Sequence, residues 1–105
     1  MATTYVPVAE LGELQENQMK VVKVSGRDVV LTLVDGQAYA FDRTCPHEAA
    51  PLDEGMIYRK TVICDDHGYT FDLETGECTS PKDGTMLPLF KVEEHEGKWC
   101  VRLDS

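Results

Sequence analysis

Residues Asp28–Asp42 read D-V-V-L-T-L-V-D-G-Q-A-Y-A-F-D. Asp28–Val34 is rich in β-branched and apolar residues, which pack well on a pleated surface. Asp35-Gly36 accepts the positive φ angles of a two-residue hairpin turn, and Gln37–Asp42 is the return strand. Before this hairpin, Gln18–Ser25 alternates in part and reads as a strand. After it, Thr61–Cys64 and Tyr69–Leu73 are short strands, the second ending in a turn at Glu74-Thr75-Gly76-Glu77. Leu89–Glu94 and Lys98–Leu103 form a closing hairpin across Glu96-Gly97. Only Val8–Gln18, with Ala9, Glu10, Leu11, Glu13 and Leu14, offers a helical turn. Short strands separated by turn signals about every 8 to 12 residues predict an all-β antiparallel sandwich or barrel. Trp99, Val101, Leu89 and Val92 are expected in the core. Tyr39 and Phe41 are expected to brace the loop that follows them.

The 105 residues suffice for one domain with one core, residues 1–105. With 42% hydrophobic and 28% charged residues, the composition is globular, neither disordered nor fibrous. Ten Lys+Arg against 19 Asp+Glu leave a net charge of −9. That excess argues against nucleic acids and anionic membranes as partners, since both need positive charge. No apolar run reaches the length of a membrane-spanning helix. Met1–Pro7 has neither a basic nor an apolar region of the secretory kind, so a cytoplasmic location is expected.

Two stretches break the strand pattern, Arg43–Gly55 and Asp65–Gly68. They border a constellation, Cys45-Pro46-His47, sixteen residues, then Cys64-Asp65-Asp66-His67-Gly68. Each loop offers one thiolate and one imidazole at the end of a strand. In a cytosolic chain this points to a metal before it points to disulfides. Zinc accepts two Cys and two His in a tetrahedron, but zinc-finger loops usually bring both thiolates from one loop. A binuclear iron–sulfur centre with one all-thiolate and one all-imidazole iron needs one Cys and one His from each loop. The loops supply that set if Cys45 faces Cys64 and His47 faces His67.

The flanks extend the match: Ala49, Pro51, Leu52, Glu54 and Gly55 after the first pair, C-D-D-H-G-Y-T-F-D over Cys64–Asp72, Thr75-Gly76, and Pro81–Pro88 before a terminal hairpin. With these the sequence resembles the Rieske [2Fe-2S] family, and within it the small Rieske-type ferredoxins of multicomponent dioxygenases and monooxygenases. The resemblance implies a small cluster-binding subdomain built from loops at about 43–55 and 64–68, covered by a third, proline-containing loop at about 79–87. It implies one [2Fe-2S] cluster per chain. Cys45 and Cys64 would hold the inner iron, His47 and His67 the outer one. Gly68 would allow backbone to approach the cluster closely. The implied role is that of a monomeric one-electron carrier, not an enzyme, between a flavin-dependent NAD(P)H reductase and a terminal oxygenase. Two other roles compete: a Rieske small subunit fixed in a larger reductase such as nitrite reductase, and a structural zinc module. Cys78 and Cys100 fall outside the motif and read as reduced thiols without a role. His95, at a hairpin turn, reads as solvated.

The second shell sets a cluster's potential. High-potential relatives carry an inter-loop disulfide and Ser and Tyr hydroxyls donating to sulfur. At the matching positions this chain has Ala50 and Asp66, then Tyr69 and Phe71. Asp65 and Asp66 add negative charge, which disfavours the electron-rich reduced form. Asp42–Gly55 and Cys64–Cys78 together hold nine acids and one base, so −8 of the −9 sits there. An acidic surface of this kind steers a carrier onto basic partners. The expected reduction potential lies at the low end of the family's span, about −150 mV, and a redox titration finding it above about +100 mV would refute this reading.

Overall fold

A computed structural model describes residues 3–46, 49–65, 68–80 and 82–104. His47, Asp66, His67 and Pro81, singled out above, lie outside the described residues. Among the described residues the strands are β1 (Thr3–Glu10), β2 (Met19–Val24), β3 (Arg27–Val34), β4 (Gln37–Asp42), β5 (Met56–Tyr58), β6 (Thr61–Ile63), β7 (Thr70–Asp72), β8 (Cys78–Ser80), β9 (Leu89–Phe90), β10 (Val92–His95) and β11 (Lys98–Asp104). They form three sheets, in the orders β1-β11-β10, β2-β3-β4-β9 and β5-β6-β7-β8. Every pairing between these strands is antiparallel. Among the described residues no helix is long and apolar enough to cross a membrane.

The apolar run Val29–Val34 is the middle of this arrangement. On β3, Val29 and Leu31 enter one core with Ala9, Leu14, Val24, Ala40 and Val101. Val30 and Val34 enter the other, with Phe41, Leu52, Ile57, Val62 and Phe71. Adjacent Ala40 and Phe41 on β4 divide the same way. A strand buried on both faces reads as a continuous apolar run, as this one does. The sheet β2-β3-β4-β9 is therefore a middle layer between the other two. Each fully buried Phe, Leu or Val adds about 1.5–3 kcal/mol relative to exposure. The polar residue within the run, Thr32, is buried and donates from Oγ1 to the Gln18 carbonyl at 2.8 Å.

The expected turns form. Asp35 and Gly36 have φ of 53° and 78°, and Glu96 and Gly97 have 53° and 79°. Both residues of each turn are left-handed, the geometry that matches the twist of a hairpin. The Glu16 carboxylate accepts from the amides of Asp35 and Gly36 at 2.7 and 2.8 Å.

Elsewhere the structure corrects the expectation. Thr3–Glu10 is a strand, although Pro7 interrupts its pattern. Proline is tolerated because β1 is an edge strand and its pairing shifts register between Pro7 and Ala9. The helical turn expected within Val8–Gln18 shrinks to a 3₁₀ turn at Leu11–Glu13, and a second one forms at Leu52–Glu54. Leu89–Glu94 is two strands in two sheets: Leu89 and Phe90 pair with Phe41 and Ala40, and beyond Lys91 the chain joins β11. Strands β5 and β8 were too short to stand out. Val101 is fully buried, whereas Trp99, Leu89 and Val92 are half-buried. Cys100 shares a face with Lys98 yet is 4% exposed, while His95 is exposed and stacks on Tyr5 at 4.4 Å.

One side chain fastens the first loop to the middle sheet. Arg43 donates from Nε to Asp53 at 2.8 Å and from Nη1 to Asp28 at 3.5 Å. Its amide donates to the Asp28 carbonyl at 3.2 Å, and its carbonyl accepts from the Leu52 amide at 2.7 Å. The Asp53 carboxylate raises the guanidinium's pKa above its ordinary value, with Asp28 adding to the effect. Arg43→Met is expected to lower the thermal midpoint. Asp53→Asn should lower it too, and the double variant should lose less than the sum, since both changes remove one interaction. Additive losses would show that the pair is not coupled.

Candidate metal centre

The two motif cysteines open loops of the same construction. The Cys45 amide donates to the Ala50 carbonyl at 2.9 Å, and the Cys64 amide donates to the Tyr69 carbonyl at 2.7 Å. Each bond closes over four residues, 46–49 in one loop and 65–68 in the other. The last residue of each four is left-handed: Ala49 has φ 55° and Gly68 has φ 71°. In the first loop the Ala49 amide also donates to the Cys45 carbonyl at 2.8 Å. The role expected of Gly68 was close approach. No described atom lies within 4 Å of a Cβ built there, so its positive φ is what the described residues require of it. Ala49 holds the same conformation without that freedom, at a cost of the kind stored at functional sites.

Cys45 and Cys64 are each 1% exposed and share one core with Leu52, Phe71, Leu87 and Cys78. The approach of the loops is enforced at Gly55, where the first loop leaves for β5. A Cβ there would fall on the Ile63 carbonyl and come within 3.2 Å of the Asp65 amide. The third segment is tied in at Gly76, whose carbonyl accepts from the Leu87 amide at 2.8 Å. The Cys78 amide donates to the Thr85 carbonyl at 3.0 Å. Residues 79 and 80 of the expected covering loop therefore belong to β8, and Thr85 and Leu87 fold back onto Cys78 and Gly76.

Two thiols in a shared apolar core are soft donors suited to an iron–sulfur centre or zinc. Among the described residues no three His, Cys, Asp or Glu side chains form a metal-binding group, both histidines of the motif lying outside them. Phe71, at the position where the resemblance would place a tyrosine hydroxyl, is fully buried and its side chain carries no hydroxyl. Cys78 joins this core, a role that its place outside the motif gave no reason to expect. No local signal marked it: its burial follows from the sheet register that sets it opposite Phe71. Burial pushes its thiol pKa up, which keeps it protonated.

The acids of the two stretches divide. Asp42, Asp53 and Glu74 are ion-paired with Arg27, Arg43 and Lys60. Asp72 accepts from the amides of Glu74 and Thr75 and caps their turn. Glu54, Asp65 and Glu77 are exposed, without an ion pair among the described residues. Gly55→Ala is expected to destabilise by about 3 kcal/mol, because backbone must move on both sides of the contact. Urea denaturation checks this. A loss below about 1 kcal/mol would show that the loops approach less closely.

Similarity to known proteins agrees with this geometry. Residues 4–91 match the Rieske [2Fe-2S] domain family. The ferredoxin component of the naphthalene 1,2-dioxygenase/salicylate 5-hydroxylase systems of Ralstonia sp is 33% identical over 96 residues, 89% of this chain and 91% of that protein. The ferredoxin component of the alkene monooxygenase system of Xanthobacter autotrophicus is 33% identical, over 92% of this chain and 80% of its own. A chain in the complex of reduced oxygenase and oxidized ferredoxin of carbazole 1,9a-dioxygenase superposes with a TM-score of 0.83 at 30% identity, over 91% of this chain and 99% of that one. The cofactor these matches imply is a Rieske-type [2Fe-2S] cluster, which the buried cysteine pair fits. The chain belongs to the Rieske [2Fe-2S] family.

Proposed function

We propose that this chain is a diffusible cytoplasmic one-electron carrier that passes electrons from an NAD(P)H-dependent flavin reductase to a terminal oxygenase. The observation that carries the reading is the pair of matched loops, each opening on a cysteine buried in the same core. Relatives that match this chain along most of their own length are ferredoxin components of dioxygenase and monooxygenase systems. In this reading Cys45 and Cys64 hold the inner iron and His47 and His67 the outer one. The cluster, when bound, accepts and releases one electron without bond making or breaking in the substrate. The chain's own part is to fix two thiolates in a dry core and to close the loops. Leu52, Phe71 and Leu87, all buried beside the cysteines, exclude water from the thiolate side. The chain is then a component of an oxygenase system and not itself its catalyst.

The exposed Glu54, Asp65 and Glu77 would steer this end onto basic surfaces of both partners. The carrier reading is tested by reducing the purified protein with dithionite, recording its EPR spectrum and counting iron and sulfide. A rhombic signal and two irons and two sulfides per chain are expected. A colourless, EPR-silent protein that takes up only zinc after anaerobic reconstitution would replace the carrier with an interaction module.

A further inference from the structure

The sheet β5-β6-β7-β8 buries one face and leaves the other open. Ile57, Val62, Phe71 and Cys78 point into the core. Their neighbours along the strands make up the outer face: Met56 and Tyr58 on β5, Thr61 and Ile63 on β6, Thr70 and Asp72 on β7 and Thr79 on β8. Met56 and Tyr58 are each 58% exposed, high for large apolar side chains. They stand two residues apart on an edge strand, so they share a face. Ile63, directly opposite Met56, extends the apolar row inward. The hydroxyls of Thr70 and Thr79 satisfy each other at 2.6 Å. The one ionised group on these strands, Asp72, is turned to its own cap. The Arg59 guanidinium lies over the Tyr58 ring, 5.3 Å from its centroid, at the end of the pair away from the loops. In a chain of net charge −9, the end of this face nearer the loops, at Met56 and Ile63, is an apolar edge without a charge of its own. Isolated exposed apolar residues are ordinary, but a patch of Met and Tyr rimmed by charge is a feature of interfaces.

Its position says what would cover it. Gly55 precedes Met56, and Cys64 follows Ile63, so this row abuts both loops of the candidate centre. Exposed Glu54 and Asp65 lie just beyond the same end of the β5–β6 pair. We infer that the outer face of β5 and β6, centred on Met56 and Tyr58, docks a redox protein whose own surface is apolar at the centre and Lys/Arg-rich at the rim. This inference rests on the carrier reading above. Acidic residues would bring such a partner in, and the apolar row would hold it beside the loops, since charges set encounter and buried aromatic anchors set residence.

The test uses the dithionite-reduced holoprotein and cytochrome c, a basic haem protein, as probe. One electron leaves the reduced centre and converts ferric haem to ferrous; no bond forms or breaks. Stopped-flow at several salt concentrations gives the second-order rate constant. The double variant Met56→Ser/Tyr58→Ser alters no charge, so it leaves steering intact. It is expected to lower the rate constant about tenfold at every salt concentration, the effect of losing a hot-spot anchor, with salt slope and reduction potential unchanged. Val21→Ser, at a 37%-exposed site on the middle sheet, should leave the rate unchanged. A double variant as fast as wild type, with salt dependence retained, would overturn the docking face and leave the carrier standing. A wild type that passes no electron to the haem would overturn the carrier reading itself. Sedimentation adds one more outcome: a wild-type dimer that the double variant dissociates would assign this face to a second copy and overturn the inference.

Discussion

Two amide-to-carbonyl bonds, from Cys45 to Ala50 and from Cys64 to Tyr69, are what the rest of the molecule is arranged to preserve. Each closes a four-residue tip and presents its cysteine inward at the loop's root. The loops are of one size, and their left-handed residues fall at equivalent places. Equal loops on adjoining supports bring two thiols to the same depth in one core. Two thiols fixed this way would need little rearrangement to take a metal, so little ordering entropy would remain to be lost.

The support is layered. The middle sheet supplies an apolar floor through Val30, Val34 and Phe41, and the small sheet carries the second loop on β6. Gly55 lets the first loop's exit press against β6, so that exit and the root of the second loop meet by backbone and not through adaptable side chains. Arg43 adds a polar fastening between the first loop and the β2–β3 hairpin, where Asp28 also pairs with Lys23. Apolar contact sets the depth of the thiols, and the ion pairs and close contacts set the spacing of their loops. The acids near the loops follow the same division of labour: some are consumed in holding the structure, and the exposed remainder provides a field toward solvent.

Much of this was legible in the residues. The V-V-L-T-L-V run announced a buried strand, and Asp35-Gly36 and Glu96-Gly97 announced their turns. The Cys-x-His and Cys-x2-His pairs announced a metal chemistry at loop roots. What escaped was pairing that depends on a distant partner. Thr3–Glu10 carries a proline, and only its edge position beside β11 makes it a strand. Leu89–Glu94 looks continuous, yet β4 claims Leu89 and Phe90 while β11 claims Val92–His95. Cys78 looked incidental because its burial comes from a register with Phe71 that no local pattern records.

The sequence by itself determined the strand-rich class, the tight turns and the Cys/His motif that marks the family. These depend on side-chain type, on φ preferences and on spacings of a few residues, all of which are local. Only the tertiary structure decided that the two loops are equal in size, that Gly55 is where they are pressed together and that Arg43 ties one of them down. It alone showed which of the nearby acids, among the described residues, have no ion pair and that the small sheet keeps an exposed apolar edge at Met56 and Tyr58. Those properties arise from contacts between segments far apart in the chain, and a contact of that kind exists only once hydrophobic burial has brought the layers together.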